Sequence, residues 1–152
     1  MDNKYTNSSV FELTTKDFNG TKIINKSFKN NFAVIEIYAP WCPHCISTID
    51  DLKFLATNLN KEGIQFGALN ADNPLNKDLI SNLGVSSFPT FFMVNVTGKL
   101  ESVDMGRRSV EEILEAICHK TNEYVGTNIY KKKQKKKTSK CCKREGNNIT
   151  CA

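Results

Sequence analysis

Apolar residues follow two different patterns in the first 120 or so residues of this chain. Residues 32–39 are almost continuously apolar and rich in β-forming side chains, which indicates a central strand covered on both faces. Immediately downstream, apolar residues recur at spacings of four, three, four and three, the period of one helix face. These residues are Cys45, Ile49, Leu52, Ala56 and Leu59. The pattern therefore predicts a strand that leads into a long helix ending near residue 60.

Shorter segments on either side repeat this alternation of strand and helix. We predict strands at residues 10–13, 64–69, 91–94 and 100–105, helical segments at residues 15–20, 75–83 and 109–121, and a polar connector at residues 27–31. Strands that alternate with helices imply crossover connections and a parallel pair. The turn chemistry at residues 95–99 implies that the last two strands are antiparallel. The predicted fold class is α/β.

The chain has 152 residues, enough for one compact domain, which we place at residues 1–125. It contains no run of about 18 apolar residues, the length that a membrane span needs. Its first 15 residues are polar, so we expect no secretory leader either. The expected location is intracellular, in the cytosol.

The remaining residues, 126–152, have a different composition. From Lys131 onwards they hold nine Lys or Arg residues and one acid, whereas residues 1–130 hold twelve basic and fifteen acidic residues. Six lysines within residues 131–137 should repel one another and keep this tail disordered. Such a tail can bind nucleic acid, an anionic membrane or an acidic protein in a salt-sensitive way.

Four cysteines lie on the last predicted helix or in this tail. Cys118 sits on the helix and is expected to be a buried, inert thiol. Cys141 and Cys142 could be palmitoylated, could form a bridge to Cys151 or could relay electrons to the cysteine pair upstream.

The two remaining cysteines stand where the central strand meets the long helix. Cys42 and Cys45 are then placed on the first helical turn, whose unpaired N–H groups and dipole stabilise an anion. Pro43 suits an early helical position, and His44 can add positive charge or a hydrogen bond beside the sulfur. We therefore expect a lowered pKa for Cys42, the more exposed thiol. Burial of Glu36 in the apolar strand should raise the pKa of its carboxyl group.

The order of strand, EIYAPWCPHC motif, helix, strand, helix, Phe88-Pro89-Thr90, hairpin and helix resembles the thioredoxin fold over residues 8–120. The motif looks most like the a-type domains of protein disulfide isomerases, although its Pro-His dipeptide resembles the bacterial periplasmic disulfide oxidant. The resemblance implies a central mixed β-sheet flanked by helices on both faces. It also implies disulfide exchange with protein substrates, and neither a cofactor nor a metal is expected.

The same resemblance implies roles for individual residues. Cys42 would attack the substrate, and Cys45 would resolve the mixed disulfide. Glu36 would be the buried acid that shuttles the proton of Cys45. Trp41, Phe88 and Pro89 would contact the substrate peptide, with Pro89 as a cis-proline facing the cysteines.

Two further positions bear on proton transfer. Arg107 or Arg108, with a preference for Arg108, resembles the mobile arginine that modulates the resolving cysteine. Members of the family usually carry a lysine near the buried acid, and that position here corresponds to Ala68. We therefore expect proton transfer to be less well coupled than in the family.

Simpler interpretations stay open for these residues. The cysteine pair could be half of a zinc site completed by Cys141, Cys142 or His119. A solvated or merely structural role is open for His44, Glu36, Pro89 and the arginine pair.

The main functional prediction is a thiol–disulfide oxidoreductase, an oxidant or isomerase rather than a general reductant. It would need a reductase, an oxidase or glutathione as its redox partner. The Asn-, Lys- and Ile-rich composition would suit an AT-rich gene, and in a viral source the expected setting is virion assembly in the cytosol. The alternative is a thioredoxin-fold binding module docked by its basic tail.

Overall fold

A computed structural model describes residues 2–127 and 138–152 of the chain. The strands in these ranges are β1 (Val10–Leu13), β2 (Phe18–Asn19), β3 (Lys22–Ile23), β4 (Phe32–Tyr38), β5 (Ile64–Asn70), β6 (Thr90–Val94), β7 (Leu100–Ser102), β8 (Cys142–Glu145) and β9 (Asn148–Cys151). The α-helices are α1 (Lys26–Lys29), α2 (Pro43–Ile46), α3 (Ile49–Leu59), α4 (Lys77–Asn82) and α5 (Val110–Val125).

Five of these strands form the central sheet, in the order β1-β5-β4-β6-β7. Strands β1, β5 and β4 are parallel, whereas β6 is antiparallel to both of its neighbours. The predicted mixed sheet is confirmed. Strand β6 is also antiparallel to β4. The predicted hairpin turn implied only the antiparallel pairing of the last two strands.

Helices cover both faces of the sheet because β4 is apolar on both. All seven residues of β4 are buried. Val34 packs in the layer formed with α3 and α5, and its neighbour Ile35 packs in the layer formed with α1 and α4. Successive side chains of a strand point to opposite faces, so Glu36 faces the same layer as Val34. Cys45 also packs in that layer.

Helix α1 replaces the predicted polar connector. Asn25 caps it by accepting a hydrogen bond from the N–H of Ser27, and Phe28 is its one buried residue. A Cβ atom at Gly67 of β5 would lie 2.7 Å from the Phe28 ring. The Phe28 ring therefore fits against β5 because that strand carries a glycine at this position. The contact joins residues far apart in the sequence, so the polarity of residues 27–31 alone did not predict the helix.

The predicted long helix is two helices, α2 and α3. The hydroxyl of Thr48 donates to the His44 carbonyl at 2.7 Å, while the N–H of Thr48 bonds to the Cys45 carbonyl instead. The Ser47 hydroxyl also donates to the His44 carbonyl. Side-chain hydroxyls thus compete with the helical hydrogen bond at this point and separate the helices.

The last helix of the domain, α5, is longer than predicted. Ser109 caps it through its side chain, and buried Thr121 and Tyr124 extend its apolar face to the final turn. The predicted strand at residues 100–105 is shorter, because β7 ends at Ser102.

Residues 138–152 differ from the expected disordered tail. Strands β8 and β9 pair as an antiparallel hairpin, and a disulfide joins Cys142 to Cys151 across it. A second disulfide joins Cys118 of α5 to Cys141. Cys118 is therefore not the free thiol that we expected. The predicted lysine-rich stretch, residues 131–137, lies outside the described residues.

The hairpin packs on the domain as well as being bonded to it. Cys142 and Ile149 are buried in the layer formed with α3 and α5. The Arg144 guanidinium lies 4.6 Å from the centroid of the Phe54 ring of α3, within the range of a cation–π contact. Charge dominates the sequence of this segment, and cysteine pairing cannot be deduced from spacing, so the pattern did not reveal the hairpin.

We predict that both disulfides stabilise the domain, and that the bond between Cys118 of α5 and Cys141 does so more. Their sequence separations are 23 residues for Cys118–Cys141 and 9 residues for Cys142–Cys151. Because a longer closed loop restricts the unfolded chain more, replacing each pair by alanine should lower the free energy of unfolding by about 3.4 and about 2.6 kcal/mol. Urea unfolding of the two double variants measures both values. Equal stability of the parent and both variants would contradict a structural role.

Candidate active site

The cysteine motif lies where β4 leaves the sheet and α2 begins. The N–H of Cys42 donates to the Ala39 carbonyl at 3.1 Å, which turns the chain from the strand into the helix. Cys42 is the N-cap of α2, Pro43 occupies the first helical position, and Cys45 follows within the same short helix. Among the described residues, Cys42 and Cys45 are the cysteines that are not in a disulfide.

Hydrogen bonds lower the pKa of Cys42. The main cause is a hydrogen bond from the backbone of Cys45, with further contributions from the Cys45 side chain, the His44 backbone and the positive charge of Arg108. Burial acts in the opposite direction. The lowered pKa shifts Cys42 towards its ionised, nucleophilic form, which is the direction expected for a cysteine at the start of a helix.

Cys45 has the opposite character. It is 2% exposed, against 8% for Cys42. Burial is the main cause that raises its pKa to about 12, and the charges of Glu36 and Cys42 act in the same direction. Cys45 therefore keeps its proton at neutral pH unless a neighbouring base removes it.

Glu36 provides a carboxyl group on the side of β4 that faces this pair. It is 1% exposed, and burial raises its pKa to about 8, although a hydrogen bond from the Tyr5 hydroxyl lowers it. That hydroxyl donates to Oε1 at 2.7 Å. Ala68 is the residue of β5 directly beside Glu36, so the neighbouring strand supplies no polar side chain at this level.

The loop before β6 faces Cys42. The Phe88–Pro89 peptide bond is cis. In its thiol form, Cys42 donates from Sγ to the Phe88 carbonyl at 3.5 Å. The Phe88 ring contacts the edge of Trp41, which is 64% exposed and donates from Nε1 to Asp72. An exposed aromatic side chain and a proline-containing loop thus flank the sulfur.

Arg108 approaches the site from the segment between β7 and α5. It is half-buried, has a φ of 65°, and its charge lowers the pKa of both Glu36 and Cys42. Arg108 and Pro89 both line a cavity of about 180 Å³. Arg107 is exposed, and its N–H donates to Glu112 at 3.0 Å.

His44 lies beside the cysteines, but its side chain is exposed. It acts on Cys42 through its backbone. The expected contribution of its imidazole to the thiolate therefore stays a prediction.

Three residues of this region were missed by sequence reasoning: Tyr5, Glu12 and Asp72. Tyr5 and Glu12 lie near the start of the chain, far in sequence from the motif that they approach. The sequence signal that could have identified Tyr5 is that it is an aromatic residue in an otherwise polar N-terminal segment. This signal is weak on its own.

The zinc alternative loses two of its three possible further ligands. Cys141 and Cys142 are both in disulfides. Within residues 2–127 and 138–152, no group of three or more His, Cys, Asp or Glu side chains is placed to hold a metal ion. No helix of these same ranges is long and apolar enough to cross a membrane.

Comparison with known proteins identifies the family of this chain. The sequence profile of the Thioredoxin family matches residues 9–119. The chain belongs to the thioredoxin family. It is 33% identical over 116 residues to the protein disulfide-isomerase A6 homolog of Drosophila melanogaster, covering 76% of this chain and 25% of that protein. It is 30% identical over 126 residues to protein disulfide-isomerase 1 of Dictyostelium discoideum, covering 82% of this chain and 32% of that protein.

Solved structures agree on the thioredoxin fold. The Trx4 domain of ERdj5 aligns with a TM-score of 0.57 at 18% identity, covering 74% of this chain and 96% of that one. A complex of ferredoxin:thioredoxin reductase with thioredoxin f2 contains a chain that aligns with a TM-score of 0.57 at 26% identity, covering 72% and 92%. The present chain spans about a quarter to a third of the length of the curated relatives named above.

We predict that Cys42 titrates below the ordinary range of a free cysteine, ~8.5. In a Cys45→Ala variant, Cys42 should be the one titrating thiol, and the backbone hydrogen bond that lowers its pKa is retained. Thiolate absorbance measured against pH gives the midpoint. The same variant unfolded in denaturant is the control. A folded midpoint equal to the unfolded one would refute the prediction.

The two neighbouring arginines offer a matched pair of substitutions. Arg108→Gln should raise the pKa of both Cys42 and Glu36, because it removes a positive charge that favours their ionised forms. Arg107→Gln should leave both unchanged, since this side chain is exposed. Thiolate absorbance reports Cys42, and carbon-13 NMR of the carboxyl reports Glu36. Equal shifts in the two variants would contradict a specific role for Arg108.

Proposed function

We propose that the chain is a thiol–disulfide oxidoreductase that exchanges disulfides with protein thiols through Cys42 and Cys45. The observation that carries this proposal is the difference between the two thiols: the pKa of Cys42 is lowered, and that of Cys45 is raised to about 12. A pair of this kind has one sulfur ready to attack and a second held protonated until it is needed. The names of the relatives, protein disulfide-isomerases, support the same chemistry.

As an oxidant, the protein would start with a disulfide between Cys42 and Cys45. A substrate thiolate attacks the Cys42 sulfur, and Cys45 leaves and takes up a proton. A second substrate thiolate then attacks the substrate sulfur of the mixed disulfide, so that the substrate gains a disulfide and Cys42 leaves as the thiolate. As an isomerase, the reduced protein would attack a substrate disulfide with Cys42 and form a mixed disulfide. If the substrate did not rearrange, Cys45 would attack the Cys42 sulfur and release the substrate as a thiolate.

The substrate peptide would lie along the loop that contains the cis-proline. Trp41 offers an exposed aromatic surface next to the sulfur, and Phe88 packs against it. The Phe88 carbonyl lies within reach of Cys42, so a peptide bonded to that sulfur would pass close to the loop backbone. This position supports the proposed substrate contact by Trp41, Phe88 and Pro89.

The lowered pKa of Cys42 supports an oxidant or isomerase rather than a general reductant. An active-site thiolate that is stabilised by its surroundings favours the reduced pair, which makes the disulfide form a stronger oxidant. A reductase, an oxidase or glutathione would reset the pair after each turnover.

We infer that the protein works where disulfides persist, which differs from the cytosolic location expected from its sequence. Four cysteines outside the reactive pair form two disulfides. Such bonds form in the secretory pathway, outside cells and at virion surfaces, and are rare in the reducing cytosol. Alkylation of the protein taken from its native source, followed by mass spectrometry, tests this inference. Four alkylated thiols at Cys118, Cys141, Cys142 and Cys151 would contradict it.

The basic residues 131–137 stay a proposed contact for nucleic acid, an anionic membrane or an acidic protein, supported by their charge. The opposite pKa shifts of the two thiols favour exchange chemistry over a binding module with a vestigial disulfide.

Refolding of reduced, denatured ribonuclease in glutathione buffer tests the proposed function. The parent should accelerate recovery of ribonuclease activity, Cys42→Ser should abolish the acceleration, and Cys45→Ala should accumulate a mixed disulfide with the substrate because its release is blocked. The double variant Cys142→Ala/Cys151→Ala is the control and should retain activity. An active Cys42→Ser variant would refute the proposal.

The redox direction is tested by the equilibrium reduction potential of the pair. The chain has one tryptophan, Trp41, which adjoins Cys42, so its fluorescence in glutathione buffers reports this pair in the full-length protein. We expect a value of about −200 mV or higher, on the side of isomerases and oxidants. A value of about −270 mV, that of thioredoxin, would show a reductant instead.

A further inference from the structure

Tyr5 lies before the part of the chain that the family profile matches, residues 9–119, and yet it contacts the centre of the site. We propose that Tyr5 is a positioning residue for disulfide exchange, whose hydroxyl holds Oε1 of Glu36 so that Oε2 can receive the proton of Cys45. This inference rests on the proposed function, since it concerns the resolving step of that reaction.

The geometry singles out one hydrogen bond. Tyr5 and Glu36 are each 1% exposed, and the Tyr5 hydroxyl donates to Glu36 Oε1 at 2.7 Å. The second carboxyl oxygen, Oε2, is buried and has no hydrogen-bond partner within the described residues. One oxygen is thus fixed, and the other is available to accept a proton.

Tyr5 is itself held in place by its surroundings. Its N–H donates to Glu12 Oε2 at 3.0 Å, and the Tyr38 hydroxyl donates to the same oxygen at 2.6 Å. The Tyr5 and Tyr38 rings make an edge-to-face contact with centroids 5.4 Å apart. Ser8 closes a turn by donating to the Tyr5 carbonyl. These contacts fasten the N-terminal segment to β1 and β4.

A donor is needed at this position because a buried carboxylate without a partner is costly. Ala68 on the adjacent strand offers no donor. A neutral hydroxyl stabilises the carboxylate less than a cation in contact would, so the pKa of Glu36 stays raised, at about 8, near a working pH. Burial, followed by the charge of Glu36, raises the pKa of Tyr5, so this hydroxyl keeps its proton and remains a donor.

The proton and electron transfers of the resolving step balance as follows. The Cys45 thiol transfers its proton to the Glu36 carboxylate and becomes a thiolate. This thiolate attacks the Cys42 sulfur of the mixed disulfide, forms the Cys42–Cys45 disulfide, and releases the partner thiolate with its electron pair. Glu36 then returns the proton to solvent. The rate of this step should rise with pH as Glu36 ionises.

Other titratable groups face Glu36 from each element packed around it. They are Tyr5 from the N-terminal segment, Glu12 from β1, Tyr38 from the same strand, Cys45 from α2 and Arg108 from the segment before α5. Of these groups, Tyr5 forms the hydrogen bond to the carboxyl, so Tyr5→Phe removes that bond while the ring is retained.

The test is Tyr5→Phe, followed by the oxidation of reduced full-length protein with oxidised glutathione in a stopped-flow fluorimeter, with Trp41 as the reporter. The first, second-order phase reports attack by Cys42, and the later, first-order phase reports resolution by Cys45. Loss of a hydrogen bond to a carboxylate should move the pH midpoint of the first-order phase up by about one unit and slow it about tenfold at pH 7. The second-order phase should stay unchanged.

Tyr124→Phe is the matched control, because its buried hydroxyl donates to the Met93 carbonyl at 3.4 Å, in a different part of the core. It should leave the midpoint where it is in the parent. A second measurement separates positioning from stability: in a Glu36→Gln background, Tyr5→Phe should have no further effect on the resolving rate. An unshifted midpoint in Tyr5→Phe, or full additivity with Glu36→Gln, would overturn the role of Tyr5.

The proposed function has a different point of failure. If the parent showed no second-order phase at Cys42, the proposed exchange chemistry would be wrong, and the proposed role of Tyr5 would be wrong for the same reason. A normal second-order phase with an unshifted first-order phase in Tyr5→Phe would overturn the role of Tyr5 alone.

Discussion

The carboxyl group of Glu36 is buried in the middle of β4, where desolvation disfavours its ionised form. The strand cannot turn it outwards, because β4 is paired on both edges and covered on both faces. The surrounding chain has to supply its partners instead. The N-terminal segment brings the hydroxyl of Tyr5, α2 brings Cys45, and the segment before α5 brings the charge of Arg108.

The same turn of backbone gives the two sulfurs opposite properties. At the helix start, Cys42 receives hydrogen bonds from backbone groups that have no partner within the helix. One turn later, Cys45 points into the core beside an acid, and burial dominates. Two identical side chains three positions apart thus differ in acidity because one meets donors and the other meets apolar atoms and negative charge.

Sequence reasoning succeeded where the signal was local. The apolar run of β4, the cysteine spacing and the out-of-place Glu36 all lie within residues 32–45. The position of Ala68 beside Glu36 was expected from the family resemblance, and the strand register agrees with it. It failed where a contact joins distant parts of the chain. The tyrosine beside Glu36 and the hairpin bonded to α5 depend on distant partners that no periodicity indicates. The break at Thr48 is local, but it rests on a hydroxyl bonded to the His44 carbonyl, which the spacing of apolar residues does not reveal.

The hydrogen bond from Tyr5 changes what should be regarded as the smallest functional unit of this protein. The part of the chain that the family profile matches, residues 9–119, contains the whole central sheet and both cysteines of the motif. Trimming the chain to those limits would nevertheless leave the Glu36 carboxyl without its donor and cut the disulfide that joins α5 to residue 141. Boundaries drawn for recombinant expression should therefore begin before residue 5 and include the hairpin.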